Sequence, residues 1–497
     1  MNKNFFLTTP IYYVNDKPHI GHAYTTILAD VLARYHRNSG KKTFFLTGLD
    51  EHGQKVQEAA VERGISPQKH CDEMAPRFTK VWEKLHISYD DFIRTTEDRH
   101  KKIVKLFLQK VYDAGDIYSD EYEGLYSVSE ERFITEKEAE SGDFRDIKNL
   151  KEKNYFFKMS KYQQDLIDHI QSNPKFIQPE HRKNEVLGFL RQPLKDLCIS
   201  RPKSRLSWGI DLPFDPDYVT YVWFDALINY ISVPGYGSNE ESFKKWWPAS
   251  YHLIGKDILT THAVYWPTML MSAGLELPQS IFAHGWWLIE ESKMSKSVGN
   301  VINPMELIDD YGVDPVRYYL MREMVLGQDS NFTMESFIQR YNSDLANDFG
   351  NLLSRVSTLM KKNYDGMIPE PGELTESHLK ISSKGECLVD RVNKLINEMR
   401  VNEAIEEIMQ YVRSVNKYME DNAPWKLVKE DKKAAASVLY TAGEALRLSA
   451  VLLSPVMPNR TSILLNALSA EDTGLSWGGL TPGKILKDHE PLFPRLK

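Results

Sequence analysis

The chain opens on a short apolar run, Phe5 to Thr8, followed by a polar stretch holding Asn15, Asp16, Lys17 and Pro18. From Ala23 to Arg37 the spacing turns helical, with Ile27, Leu28, Val31, Leu32 and Tyr35 on one face. Ser39-Gly40 supplies the stop. Thr43 to Thr47, aromatic and β-branched, reads as the next strand. Strand, helix and strand in this order predict a βαβ unit with parallel strands and a right-handed crossover. The same grammar returns later. Val219 to Phe224 reads as a strand and Asp225 to Tyr230 as the start of a helix. Tyr251 to Ile254 is a strand, Asp257 to Ala273 is helical, and Ile281 to His284 is a strand closed by Gly285. Between the two halves, Asp116 to Ser207 is more charged and mixed, and reads as an insertion. After Asn300 strand signals vanish. From about Asp344 the pattern is helical, as in Leu352-Leu353 with Val356 and Leu359, Ile405 with Ile408-Met409 and Val412, and Leu446 with Leu448 and Val451-Leu452. That is the pattern of a helix bundle.

Composition narrows the setting. The 497 residues are 42% apolar and 26% charged with a net charge of −7, so the chain as a whole is no basic nucleic-acid binder. A local basic stripe inside an acidic chain still suffices for RNA. The three cysteines, Cys71, Cys198 and Cys387, are far apart and lack the spacing of metal ligands, which fits a reducing compartment. The apolar run at the N-terminus is too short for a signal peptide, and no apolar stretch approaches ~20 residues. A cytoplasmic protein without a membrane span is expected.

Two motifs carry chemistry. His19-Ile20-Gly21-His22 stands at a loop-to-helix junction after the first strand. A phosphate is favoured there by backbone N–H groups and the helix dipole. Gly21 would let a nucleotide approach the backbone, and two imidazoles could donate to phosphate oxygens as charge builds. Lys293-Met294-Ser295-Lys296-Ser297 follows the last strand of the second half. Its ammonium groups could neutralise the outer phosphates of ATP.

Together, in this order around a split sheet, the two motifs resemble the signature of class I aminoacyl-tRNA synthetases. Thr9 to Asn15, Gly48-Leu49-Asp50-Glu51-His52-Gly53, Thr220 to Ala226, Leu253 to Asp257 and Ala283-His284-Gly285 resemble the methionyl-tRNA synthetase family in particular. The resemblance implies an α/β chain. A Rossmann-type catalytic domain (1–115 and 208–300) is split by a connective insert (116–207), followed by a linking segment (301–343) and a helix-bundle anticodon-binding domain (344–497). It implies a ligase that makes methionyl-adenylate from methionine and ATP, with Mg²⁺, and charges tRNA(Met). His19, His22, Lys293 and Lys296 match the family's catalytic positions, with Tyr13, Gly21, Gly255, Lys256 and Asp257 completing the ATP site. Ile11, Tyr13, Asp50, Trp223, Ala226, Tyr230 and His284 match the methionine site: Asp50 for the α-amine, aromatic rings and an apolar branch for the polarizable thioether. Asn351, Arg355 and Trp425 match the anticodon-reading residues, and the first two share a helical face.

The chain departs from the family in one place. Where zinc-bearing relatives have cysteines, Gly124 to Phe133 carries Ser127 and Glu130. A serine and a lone glutamate make a poor Zn²⁺ site, so no structural zinc is expected. The insert should then rest on its own small core, with Tyr122, Tyr126 and Phe133. It is also too short for the editing domains of the valine, isoleucine and leucine enzymes. No appended dimerisation module is recognisable, which points to a monomer. No DNA partner is expected.

Overall fold

The computed structural model describes residues 4–14, 18–127, 132–134, 139, 146–289, 292–293, 303–471 and 473–496. They form two compact units. The first comprises Met1–Pro18, His36–Glu83 and Ile87–His284; the second comprises His19–Tyr35, Lys84–His86 and Gly285–Lys497.

The first unit is built on a six-stranded parallel sheet. β1 (Asn4–Tyr13), β2 (Lys42–Asp50) and β3 (Asp91–Arg94) come early in the chain. The helices α1 (Ile20–Asn38), α2 (Gln54–Glu62), α3 (Pro67–Lys84) and α4 (Asp98–Asp113) intervene or follow. Then come β4 (Ile117–Ser127), β5 (Arg132–Ile134), β6 (Ile147–Phe157) and β7 (Ile177–Gln178). β8 (Leu197–Cys198), β9 (Ser200–Pro202), β10 (Asp211–Leu212) and β11 (Asp215–Thr220) lead to β12 (Tyr251–Gly255) and β13 (Ile281–His284). The main sheet has the order β3-β2-β1-β12-β13-β7, and all its neighbours are parallel. Its strands are buried almost continuously, as a sheet covered on both faces requires. The chain order reverses between β1 and β12, which is where ligands bind in open α/β sheets. The register of β1 against β2 shifts between Thr8 and Ile11, around Pro10, which has no N–H to give to a ladder. One core joins Phe6, Leu46, Phe107, Phe224, Ile254, Trp266 and Ile281.

The insert contributes an antiparallel sheet of order β5-β4-β6-β8. Tyr126 is fully buried in it, under the guanidinium groups of Arg205 and Arg201 at 4.6 and 5.3 Å from its ring. Such cation–π contacts can hold a small core together. The side chains of Tyr122 and Phe133, and Glu130 as a whole, lie outside the described residues; Ser127 is buried at the end of β4. Among the described residues, no three His, Cys, Asp or Glu side chains are grouped as metal ligands would be.

Three elements differ from the sequence reading. The expected strand Val219 to Phe224 ends at Thr220, and Val222–Ala226 is helical. β11 pairs antiparallel with β9 and β10, outside the main sheet. A short apolar run is compatible with either state, and here the helix won. The insert segment also returns β7 to the main sheet beside β13; two residues carry no periodicity to find. Lastly, strand does not end at residue 300, because Ser330–Asn331 pairs parallel with Trp287–Ile289 in a small sheet.

The second unit is mostly helical, from Pro304 to Ala467. Its longest helices are Glu376–Asn397, Val401–Asn422 and Lys432–Leu453. By length and composition Lys432–Leu453 could cross a membrane, which the sequence reading did not single out; its apolar stretch is almost wholly buried. α1 is tied into this unit. Buried Arg317 donates to Asp30 at 2.6 Å and to the carbonyls of Leu85, Pro455 and Val456, and the Tyr35 hydroxyl donates to the Leu452 carbonyl at 2.7 Å.

Candidate active site

In the first unit, four expected residues stand at the C-terminal ends of parallel strands. Tyr13 ends β1 and pairs in register with Asp50 at the end of β2. Gly255 ends β12 and pairs with His284 at the end of β13. Asp50 and His284 are nearly buried, while Tyr13 and Gly255 are half-buried. Lys55 of α2 holds its ammonium 5.9 Å from the Tyr13 ring centroid. A Cβ on Gly255 would lie 2.6 Å from Asp257 Oδ1, so a larger residue there would have to displace the Asp257 carboxylate. Lys256 and Asp257 begin the short 3-10 helix Lys256–Ile258.

An aromatic wall lies in the same unit. Ile11 and Trp223 pack against the core, and Ala226 and Tyr230 are buried. His262, which no sequence motif marks, also meets this wall. His262 sits edge-on to Trp223 at 6.1 Å, and its Nε2 is 2.9 Å from the Tyr230 hydroxyl. Its Nδ1 lies 2.9 Å from the Ile258 carbonyl, which can only accept. The proton is therefore on Nδ1, and Tyr230 donates to Nε2. Burial lowers the His262 pKa to about 4, against the opposing pull of the Ile258 carbonyl and Asp257. Beneath it, His252 bridges the Thr8 hydroxyl at 2.7 Å and the Trp266 indole N–H at 3.2 Å. Trp266 can only donate, so His252 Nδ1 gives its proton to Thr8. Burial and nearby His262 keep His252 neutral. The result is an apolar, polarizable surface whose polar tips are fixed in one tautomer with their donors already committed, suited to a neutral, polarizable side chain.

A second group was also missed. Asp225 is buried between His52 and His100, and Glu51 is buried against Arg94 Nε at 2.7 Å and the Thr96 hydroxyl. Burial pushes Glu51 up, partly countered by Arg94 and Thr96. His52 and Asp225 fall inside the quoted sequence identities, but nothing in their spacing joins them.

In the second unit, His19 and His22 stack at 3.8 Å with planes 26° apart. The Gly21 N–H donates to His19 Nδ1 at 3.1 Å and the His19 N–H donates to His22 Nδ1 at 3.3 Å. Both Nδ1 atoms thus accept, which puts the neutral-state proton of each ring on Nε2. Burial and the charge of His19 hold His22 well below 6.5. Two details differ from expectation. These two helix-start amides serve the imidazoles rather than standing open to an anion, and the group that crowds Gly21 is the His19 ring, 3.0 Å from where a Cβ would sit. Lys293 belongs to the two-residue strand paired with Leu288–Ile289; its side chain, and all of Lys296, lie outside the described residues.

The helical region places the third set. Asn351 begins the helix Asn351–Asn363, exposed, and Arg355 follows one turn on. Trp425 is 39% exposed, and the Arg355 guanidinium lies over its indole at 5.3 Å. Residues remote in sequence thus form one cationic and aromatic platform of a kind that stacks unpaired bases.

The chain matches the family model described as tRNA synthetases class I (M) over residues 5–143 and 144–357. It matches the anticodon binding domain of methionyl tRNA ligase over 368–487. The methionine–tRNA ligase of Fusobacterium nucleatum is 46% identical over all of this chain and 80% of that protein. The chain belongs to the methionyl-tRNA synthetase family. The Bacillus subtilis methionine–tRNA ligase is 44% identical over all of this chain and 78% of that protein. Among solved members, Mycobacterium tuberculosis methionyl-tRNA synthetase in complex with methionyl-adenylate superposes with a TM-score of 0.95 at 40% identity, covering 99% of this chain and 100% of that one.

Proposed function

We infer that the chain is a methionine–tRNA ligase: it activates methionine with ATP to methionyl-adenylate, then passes the methionyl group to the 3′-terminal ribose of tRNA(Met), releasing pyrophosphate and AMP. The observation that carries the reading is family membership over the whole of this chain joined to chemistry-bearing residues at the open ends of β1, β2, β12 and β13. Asp50 receives the α-ammonium, while Ile11, Trp223, Ala226 and Tyr230 enclose the thioether, with His284 at the neighbouring strand end. Tyr13 closes over the adenylate, and Gly255, Lys256 and Asp257 border the adenosine.

The methionine carboxylate attacks the α-phosphate in line, and pyrophosphate leaves. No residue of the chain becomes covalently attached. Nε2–H donors of His19 and His22, and the ammonium groups of Lys293 and Lys296, stabilise the charge that builds on the phosphates. Mg²⁺ arrives as part of the ATP substrate, and no structural zinc is assigned. The tRNA ribose hydroxyl then attacks the adenylate carbonyl, while Asn351, Arg355 and Trp425 read the anticodon. The domain limits proposed are those expected from sequence, in a cytoplasmic monomer that binds neither DNA nor membrane. Amino-acid-dependent ATP–pyrophosphate exchange tests the reading. Methionine alone should support it; exchange with a different amino acid, or with none, would refute it.

A further inference from the structure

His52, Asp225 and His100 are all buried, yet none has a part in the chemistry above. Asp225 Oδ2 lies 2.6 Å from His52 Nδ1, and Oδ1 lies 2.8 Å from His100 Nε2. A carboxylate only accepts, so each imidazole turns a protonated nitrogen towards it. His100 Nδ1 also meets the Ser232 hydroxyl at 3.1 Å. Burial alone would push the Asp225 carboxyl up; the two histidines outweigh it and hold it below its usual range.

The placement of this cluster gives it a use. His52 follows Asp50 by two residues, and its loop is pinned by Thr95 to the Glu51 N–H at 2.9 Å and by the Trp208 indole to the Glu51 carbonyl at 2.6 Å. Asp225 lies between Trp223 and Ala226 on Val222–Ala226, and Ser232 ends the short helix carrying Tyr230. One carboxylate therefore ties together the segments that bear the ammonium-binding and thioether-binding side chains. We propose that Asp225, held by His52 and His100, is a positioning residue that fixes the span from the Asp50 carboxylate to the Trp223–Tyr230 wall, and so selects an amino acid of methionine's length. This rests on the assignment of Asp50, Trp223 and Tyr230 to the methionine site.

The test is pyrophosphate exchange by the full chain, titrating methionine and ATP separately. His52→Leu removes the donor and should raise the methionine KM at least about ten-fold, the scale of a lost charge-assisted hydrogen bond, with the ATP KM within about two-fold. His52→Asn, which can present an amide N–H near the position of Nδ1, should restore most of the methionine affinity. Should His52→Leu fail to fold, Asp225→Asn should show the same split. A wild-type methionine KM in His52→Leu or Asp225→Asn would overturn the proposal, as would an equal rise in both KM values. Absence of methionine-dependent exchange in the unaltered chain would instead overturn the function itself.

Discussion

His262 shows what burial does to a single side chain. Its pKa lies near 4, against about 6.5 for an exposed imidazole. Between those values the unfolded chain binds the proton and the folded chain does not. The stability this group contributes is thus fully present above pH 6.5 and is lost as pH falls through 4. The whole effect is about 3 kcal/mol. Buried His252 acts in the same direction. Urea unfolding at pH 7 and pH 5 should therefore show a marked loss at the lower pH. In His262→Gln that loss should be smaller by about 2 kcal/mol; an unchanged pH dependence would show that His262 is not the titrating group.

Trp425 belongs to the same scale. Its half-exposed indole under Arg355 is a stacking surface, and one stacked base is worth about 1–3 kcal/mol. Trp425→Ala should lower kcat/KM for tRNA charging by about ten-fold or more while pyrophosphate exchange stays near wild type. Impaired exchange would make Trp425 a structural residue.

Among elements, the helix Lys432–Leu453 carries the largest internal conflict. Glu444 and Arg447 are fully buried in it, paired at 2.7 Å. Glu444 also accepts from the N–H groups of Gly478, Gly479 and Leu480, and Arg447 donates to the carbonyls of Gly474 and Ser476. The pair thereby fastens the C-terminal segment to the helix. Removing one partner strands a buried charge, a loss of about 3–5 kcal/mol. Arg447→Ala should lower the unfolding midpoint accordingly in thermal or urea denaturation, and a near-neutral effect would contradict the account.

Elements also show what periodicity can and cannot reveal. β1, α1, β2, β12 and β13 were legible because a buried parallel strand is a bounded apolar run and α1 has a clean helical face. Val222–Phe224 was misread as strand, because an apolar and aromatic segment that short fits both states. β7 was invisible, because its two residues join the sheet only through tertiary pairing.

For the whole molecule, legibility follows the same division. The order of the two motifs and the helical second half pointed to the architecture and the reaction. The contacts among His262, Tyr230 and Trp223, and the His52–Asp225–His100 cluster, were not readable. Each joins residues distant in the chain, and an isolated histidine gives no signal of its partner. Arg355 and Trp425 were grouped only by resemblance, and their contact, guanidinium over indole, is visible only in the fold.

The central claim is that the His19–His22 pair and Lys296 stabilise charge on one triphosphate during adenylate formation. The most direct measurement is the single-turnover rate of methionyl-adenylate formation for His22→Ala, Lys296→Ala and the double variant. Each single change should slow the step by about 10²–10³-fold with little change in methionine affinity. The double variant should fall short of the product of the two effects by about 0.5–3 kcal/mol of coupling. Strictly multiplicative losses would contradict the claim, since the two groups would then act independently of each other.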